Sequence, residues 1–252
     1  VPLLEISNLT KNYRSPEGKL QQVLDVPEFT LEEGQQLALR GASGTGKTTF
    51  LNCIAGILRP DEGVIRLNGQ NMVGVTESRR DWLRAQNIGY IFQTFNLLQG
   101  YTCVENVVLG MSFGRGANWD VAGKLLKRVG LRDRLSHRPS QLSVGQQQRV
   151  AVARALANQP KLVLADEPTG NLDPQNARES MQLIREVCEE NEATLLLVSH
   201  DQSVLDQFEV RKDLAEINQA RPHQAIFPLE LNSNPDSGLE PSQEAQPLQI
   251  SQ

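Results

Sequence analysis

The run Gly41-Ala42-Ser43-Gly44-Thr45-Gly46-Lys47-Thr48 constrains this chain more than any other feature. It fits G-x-x-x-x-G-K-[ST], a pattern that ordinary residue frequencies would produce in a chain this long only ~1 % of the time. Residues 36–40 before it read as a strand and residues 48–54 after it as a helix. Backbone N–H groups, brought close by the glycines, would then converge with the positive end of the helix on phosphate oxygens. Lys47 would neutralise β- and γ-phosphates, the Thr48 hydroxyl would ligate Mg²⁺, and Thr49 would add a phosphate contact. The alternative, a glycine-rich turn with a surface lysine, is weakened by the strand and helix on either side.

Two carboxylates fit the same site. The apolar run 162–165 ends in Asp166-Glu167. Such a run suits a buried strand of a parallel sheet, and α/β sheets bind ligands at the carboxyl ends of those strands. Side chains alternate along a strand, so Asp166 can face the metal while Glu167, at the strand end, reaches toward the attacking water as general base. Alone, two acids at a strand end are more often simply solvated; beside the phosphate loop the odds reverse. His200 follows a second apolar run, 194–199, where an imidazole can bond the γ-phosphate or the water, though a lone histidine there is usually just solvated.

The rest of the chain supplies the frame. Residues 1–60 carry short strand-like segments broken by Pro and Gly, and residues 64–67 before Asn68-Gly69 give a hairpin signal. Helical periodicity marks 77–85, 104–111, 121–129 and 146–157, so residues from about 93 to 160 read as a helical subdomain, followed by a helix over 174–190. Residues 1–227 are expected to form one domain. Residues 228–252 hold Pro228, Pro235, Pro241 and Pro247, with Glu230, Asp236, Glu240 and Glu244 and no Lys or Arg, which predicts a disordered acidic tail. The sequence shows no internal repeat.

Several classes are disfavoured. The longest apolar runs fall far short of the ~20 residues a bilayer requires, and the first residues do not resemble a secretory leader. Cys53, Cys103 and Cys188 lack disulfide or zinc spacing and suit a reducing compartment. A net charge of −5 gives no general attraction to nucleic acid or anionic lipid. Arg79, Arg80 and Arg84 near Trp82 read as a solvated charged face.

Leu142-Ser143-Val144-Gly145-Gln146-Gln147-Gln148-Arg149 resembles the signature motif of the ATP-binding-cassette (ABC) ATPases. Ser143 and the N–H groups around Gly145 stand where a helix begins, making a second anion site. The family's other motifs follow its order: Tyr13 resembles the adenine-stacking aromatic, Gln93 the Q-loop glutamine, Asn171-Leu172-Asp173 the D-loop and His200 the switch histidine, covering roughly residues 3–207. Either Tyr13 or Gln93 alone could be an ordinary strand aromatic or loop amide.

The resemblance implies an α/β P-loop NTPase with a mixed β core, an antiparallel β subdomain and a helical subdomain. It implies ATP and Mg²⁺ as ligands, with Thr48, Gln93 and Asp166 around the metal and Lys47, Gln93, Glu167 and His200 in catalysis. Ser143, Gly145, Gln146 and Asp173 would face the nucleotide of a second copy, so a homodimer or paired ATPase subunit is expected. An integral membrane permease is the other expected partner, with the chain peripheral on the cytoplasmic face of the inner membrane and no nucleic acid bound.

Residues 92–98 and 166–173 are similar to the branch holding lipoprotein-release, macrolide-exporter and cell-division ATPases. Coupling of ATP-driven closure to export or envelope handling is the implied function; a regulatory ATPase that signals to a membrane partner without transport is the alternative. Family members acting on DNA or ribosomes carry coiled-coil insertions or tandem cassettes that this sequence lacks. Two departures stand out. Val144 replaces the commoner glycine, and residues 208–214 replace the usual strand–Asp-Gly–strand hairpin, leaving the C-terminal edge open.

Overall fold

The computed structural model describes residues 1–16 and 18–220; the expected acidic tail lies outside the described residues. In chain order the first elements are β1 (Pro2–Arg14), β2 (Leu20–Glu32), β3 (Gln36–Arg40), α1 (Lys47–Ile54), β4 (Glu62–Leu67), β5 (Gln70–Asn71), α2 (Glu77–Asn87) and β6 (Ile88–Ile91). They are followed by α3 (Cys103–Ser112), α4 (Trp119–Arg128), α5 (Val144–Leu156), β7 (Leu162–Asp166), α6 (Pro174–Glu190), β8 (Thr194–Ser199), α7 (Gln202–Leu205), β9 (Val210–Asp213) and α8 (Leu214–Ile217).

Two sheets form, and the mixture of strand directions lies between them. The order β2-β1-β4-β5 is antiparallel, and the order β6-β7-β8-β3-β9 is parallel at every pairing. The β4–β5 hairpin turns at Asn68 and Gly69, both at positive φ (49° and 71°), as a two-residue turn matching strand twist requires.

The parallel sheet divides the core, and the period-2 alternation of its strands decides which side chain goes where. Leu37, Leu39, Leu162, Leu164, Leu196 and Val198 pack with the antiparallel sheet and with Phe50 and Leu51 of α1. Their neighbours Ala38, Val163, Ala165, Leu195 and Leu197 pack against helical residues such as Val107, Leu126, Val152 and Ile184. Burial on both faces is why β7 and β8 are uninterrupted apolar runs in the sequence. Each such leucine contributes about 1.5–3 kcal/mol relative to exposure.

Most helices start on a side-chain cap. Thr102 and Glu105 form a capping box on α3, Ser143 and Gln146 one on α5, and Asp173 caps α6 just before Pro174. Among the described residues α1 alone of the α-helices has no side-chain cap; its N-cap is Gly46.

Two parts differ from the sequence reading. The middle of the chain contains β6, a four-residue strand whose pattern is weakened by Gly89; it pairs with β7. The open C-terminal edge is completed by β9, parallel to β3, after which α8 turns back toward β2. All three cysteines are buried and free, and burial pushes the Cys53 thiol up to about 12. No helix among the described residues is long and apolar enough to cross a membrane. Arg79 stacks on Trp82 and Arg84 pairs with Asp81, in keeping with a solvated face on α2.

Candidate functional site

The loop between β3 and α1 is built to approach an anion. Gly41 N–H donates to Ser199 O (3.2 Å), tying the loop's start to β8, and Thr45 Oγ1 donates to Ala42 O (2.8 Å), folding the loop on itself. Gly46 has φ 92°, and a Cβ there would lie 3.0 Å from Val23 O, so its own chain requires glycine. Because Gly46 supplies no cap, the first N–H groups of α1 are left for a ligand. Lys47 Nζ reaches Gly41 O (2.6 Å), Ala42 O (3.1 Å) and Glu167 Oε1 (3.1 Å).

Glu167 lies just beyond β7, held by its N–H to Val198 O (3.1 Å) with φ 45°. A positive φ at a non-glycine residue is strained backbone and is commonest where function demands it. The carboxylate is 7 % exposed and accepts from Ser199 Oγ (3.1 Å), His200 Nδ1 (2.6 Å) and His200 N–H (3.4 Å). A carboxylate only accepts, so His200 carries its proton on Nδ1 in this bond. Burial pushes the Glu167 pKa up, but the hydrogen bonds and charges of His200 and Lys47 together hold it below its ordinary value, keeping the group ionised.

Asp166, the last residue of β7, is 6 % exposed. Burial raises its pKa above its ordinary value, opposed by a hydrogen bond with Thr48 and the charge of Lys47 and reinforced by Glu167. Thr48 and Gln93 line the cavity, and Asp166, bonded with Thr48, lies behind that lining; a carboxylate, a hydroxyl and an amide are hard-oxygen donors. Among the described residues no group of three or more His, Cys, Asp or Glu could hold a metal. That combination fits Mg²⁺, which binds through one or two carboxylates and completes its shell with phosphate oxygens and water.

Of the sequence-predicted residues, Gly41, Ala42, Ser43, Gly44, Gly46, Lys47, Thr48, Thr49, Gln93, Glu167 and His200 line one cavity of about 690 Å³. Thr45 faces a neighbouring hollow instead. Tyr13 stands on β1, 43 % exposed and 5.9 Å from Lys11 Nζ, outside the lining of the cavity. Ser143, Gly145 and Gln146 are also outside it, on the first turn of α5, and Asp173 spends its carboxylate on capping α6 through Asn176 N–H (3.1 Å).

The structure adds site residues, and gives Asn171 and Gln148, quoted above only as members of motifs, specific contacts. Val23 and Arg40 line the cavity, and Ser199 donates to Glu167. Asn171 Nδ2 holds Gln93 O (2.8 Å), and Gln148, fully buried on α5, donates to Pro168 O (2.7 Å) beside Glu167. Arg154 at the far end of α5 donates to Asn96 O and Phe95 O (2.6 Å each), pinning two consecutive residues at positive φ in the loop after Gln93. Ser199 was within reach of sequence reasoning, since it adjoins His200. Nothing in the sequence marked Val23, Arg40 or Arg154, whose roles arise only from the packing of distant segments.

A family model described as ABC transporter matches residues 24–170. The chain is 43 % identical over 212 residues to the macrolide export ATP-binding/permease protein MacB of Syntrophobacter fumaroxidans (strain DSM 10017 / MPOB), which covers 80 % of this chain and 29 % of that protein. The chain thus spans less than a third of that relative's length. Among solved structures it is similar to the dimeric post-hydrolysis state of the ATP-binding cassette MJ0796 bound to ADP and Pi, with TM-score 0.77, 34 % identity and coverage of 88 % of this chain and 97 % of that one. It is also similar to the dimeric structure of MJ0796, a bacterial ABC transporter cassette, with TM-score 0.75, 36 % identity and coverage of 83 % and 94 %.

Proposed function

This chain belongs to the ABC transporter family and is an ATPase cassette of it, and from that premise we propose that it hydrolyses ATP at composite sites shared by two chains arranged head to tail. The observation that carries this reading is the separation of two glycine-bearing helix starts: the uncapped N-terminus of α1 lines the cavity, and the capped N-terminus of α5 does not. A phosphate held at one would be closed over by the other only from a second copy. The dimeric cassettes of MJ0796 support that arrangement.

Within one site, Lys47 and the first N–H groups of α1 hold the β- and γ-phosphates; Thr48 and Gln93, which line the cavity, and Asp166, bonded with Thr48, would hold Mg²⁺. Mg²⁺, when bound, supplies neutralisation of charge on the phosphate oxygens. Glu167, kept ionised, takes a proton from water as the water oxygen bonds to the γ-phosphorus and the bond to the ADP oxygen breaks. His200 orients the carboxylate through Nδ1, and Ser199 fixes its second oxygen. Ser143, Gly145 and Gln146 of the second chain close over the γ-phosphate, with Asp173 beside them, and Tyr13 stacks on adenine. Loss of γ-phosphate contacts after hydrolysis reopens the pair.

Closure is coupled to a membrane permease, with the cassette peripheral on the cytoplasmic face and the cargo exported or handled at the envelope. The similarity to a macrolide export ATP-binding/permease protein supports export and ranks transport above a purely regulatory role. Residues 1–227 form the cassette in this reading. ATPase activity per chain is expected to rise with chain concentration and then saturate. Activity per chain that stays constant on dilution into the monomeric range overturns the two-chain site.

A further inference from the structure

We propose that Asn218, at the end of α8, is a positioning residue for the phosphate loop, anchoring it to β2 from outside the nucleotide cavity. Asn218 is buried, 9 % exposed, and its amide is fully used. Oδ1 accepts from Asp25 N–H (2.7 Å) and Ala220 N–H (3.2 Å), while Nδ2 donates to Val23 O (2.9 Å) and Thr45 O (3.3 Å). Two donor hydrogens and two acceptor sites are all an asparagine side chain has.

The two carbonyls on Nδ2 flank Gly46. Val23 O is the atom a Cβ on Gly46 would meet at 3.0 Å, and Thr45 O belongs to the peptide bond joining Thr45 to Gly46. In a trans peptide the carbonyl and the following N–H point in opposite directions. Holding Thr45 O toward Asn218 therefore fixes the direction of Gly46 N–H, at the start of the uncapped helix. Gly44 and Gly46 sit at φ 80° and 92°, where the loop has little stiffness of its own, so an external anchor has a large effect on its geometry. Val23 also lines the nucleotide cavity, so the same amide fixes part of its wall. Gln219 N–H to Asp25 O (2.7 Å) secures the segment that delivers Asn218. The segment that follows the departing residues 208–214 thus brings a side chain under the phosphate loop.

The proposal rests on the reading of residues 41–48 as the phosphate cradle. The test uses the full chain with ATP, measuring KM, kcat, binding of a fluorescent ATP analogue and Tm for Asn218→Ala, Asn218→Asp and the milder Asn218→Ser. Asn158→Ala is the comparison: Asn158 is equally buried, its amide bridges Gly110 O and Arg115 N–H, and it stands apart from the cavity. Asn218→Ala is expected to raise KM on the order of tenfold with kcat within about twofold. Asn218→Asp is expected to do more, because a carboxylate oxygen would face two carbonyls, and Asn218→Ser less. Asn158→Ala should lower Tm and leave KM unchanged. The proposal is overturned if folded Asn218 variants, Ser included, keep the parent KM, or if Asn158→Ala raises KM equally. Lys47→Ala separates it from its premise: retained ATP binding there refutes the cradle, whereas lost binding there with unchanged KM in the Asn218 variants refutes only the anchor.

Discussion

The loop before α1 and the first turn of α5 both bring glycine to a helix N-terminus, but only the first is required by its own chain. Gly46 has φ 92° and no room for a Cβ beside Val23 O. Gly145 has no positive φ, and a Cβ there would meet only Asn176 Oδ1 at 3.9 Å. The phosphate loop is also bonded inward to β8, Glu167 and Asn218, whereas the α5 turn is satisfied by its own capping box and Val144 beside it is 47 % exposed. Glycine at 145 leaves the start of α5 open to close approach from outside, which under the proposed function is by the nucleotide of a second copy.

The sharpest way to break this comparison is to remove chemistry from the first region alone. Glu167→Gln is expected to lower kcat by about 10³-fold while ATP binding persists, measured by phosphate release and by nucleotide binding. Persistent hydrolysis would take Glu167 out of its role as base. Next in size is Gly145→Asp. An acid in the first turn of a helix stabilises the monomer by about 0.3–1 kcal/mol, yet its charge would face a phosphate in the composite site. Tm should hold or rise while ATPase activity falls by about 10²-fold. Gly46→Ala gives the opposite pattern, costing about 2 kcal/mol of folding stability through positive φ and crowding. If both glycine variants lose stability alike, the contrast between the regions fails.

Smaller effects sharpen the link between the regions. Arg154→Lys keeps the charge but loses the fork that grips Phe95 O and Asn96 O, so ATPase activity should drop several-fold with little change in Tm. Unchanged turnover would mean that the loop after Gln93 keeps its shape unaided. The smallest effect concerns Asp61. Its carboxyl is held below its ordinary value by the Lys11 hydrogen bond and by Asn12, so its stabilisation is present above the ordinary carboxylate range and is lost as pH falls through the depressed folded value. Asp61→Asn should lower Tm by no more than about 3 °C at neutral pH, with the gap closing in acid. A gap independent of pH would show that the ion pair is not its source.

What was legible in the sequence was local. The phosphate loop, the acids after β7 and the capped start of α5 are contiguous stretches in which spacing, apolar runs and caps are themselves the physical cause of the structure. The rest depends on segments far apart. The strand β6 is short and carries Gly89, where a Cβ would lie 2.3 Å from Ala155 O, so its glycine reflects packing against α5 rather than a turn. The place of β9 beside β3 and the reach of Asn218 across 195 positions to Val23 O are set by tertiary pairing that no local pattern announces. Tyr13 was named from its order among the motifs, and the chain alone leaves it exposed on β1 with its ring near Lys11.

Light scattering on the Glu167→Gln chain, with and without ATP and Mg²⁺, tests the two-chain site most directly. The chain is 28.0 kDa, and the mass is expected to double on addition of ATP and to return to the single-chain value when Gly145→Asp is added. A Glu167→Gln chain that binds ATP at saturation and still scatters as a single 28.0 kDa chain would contradict the account.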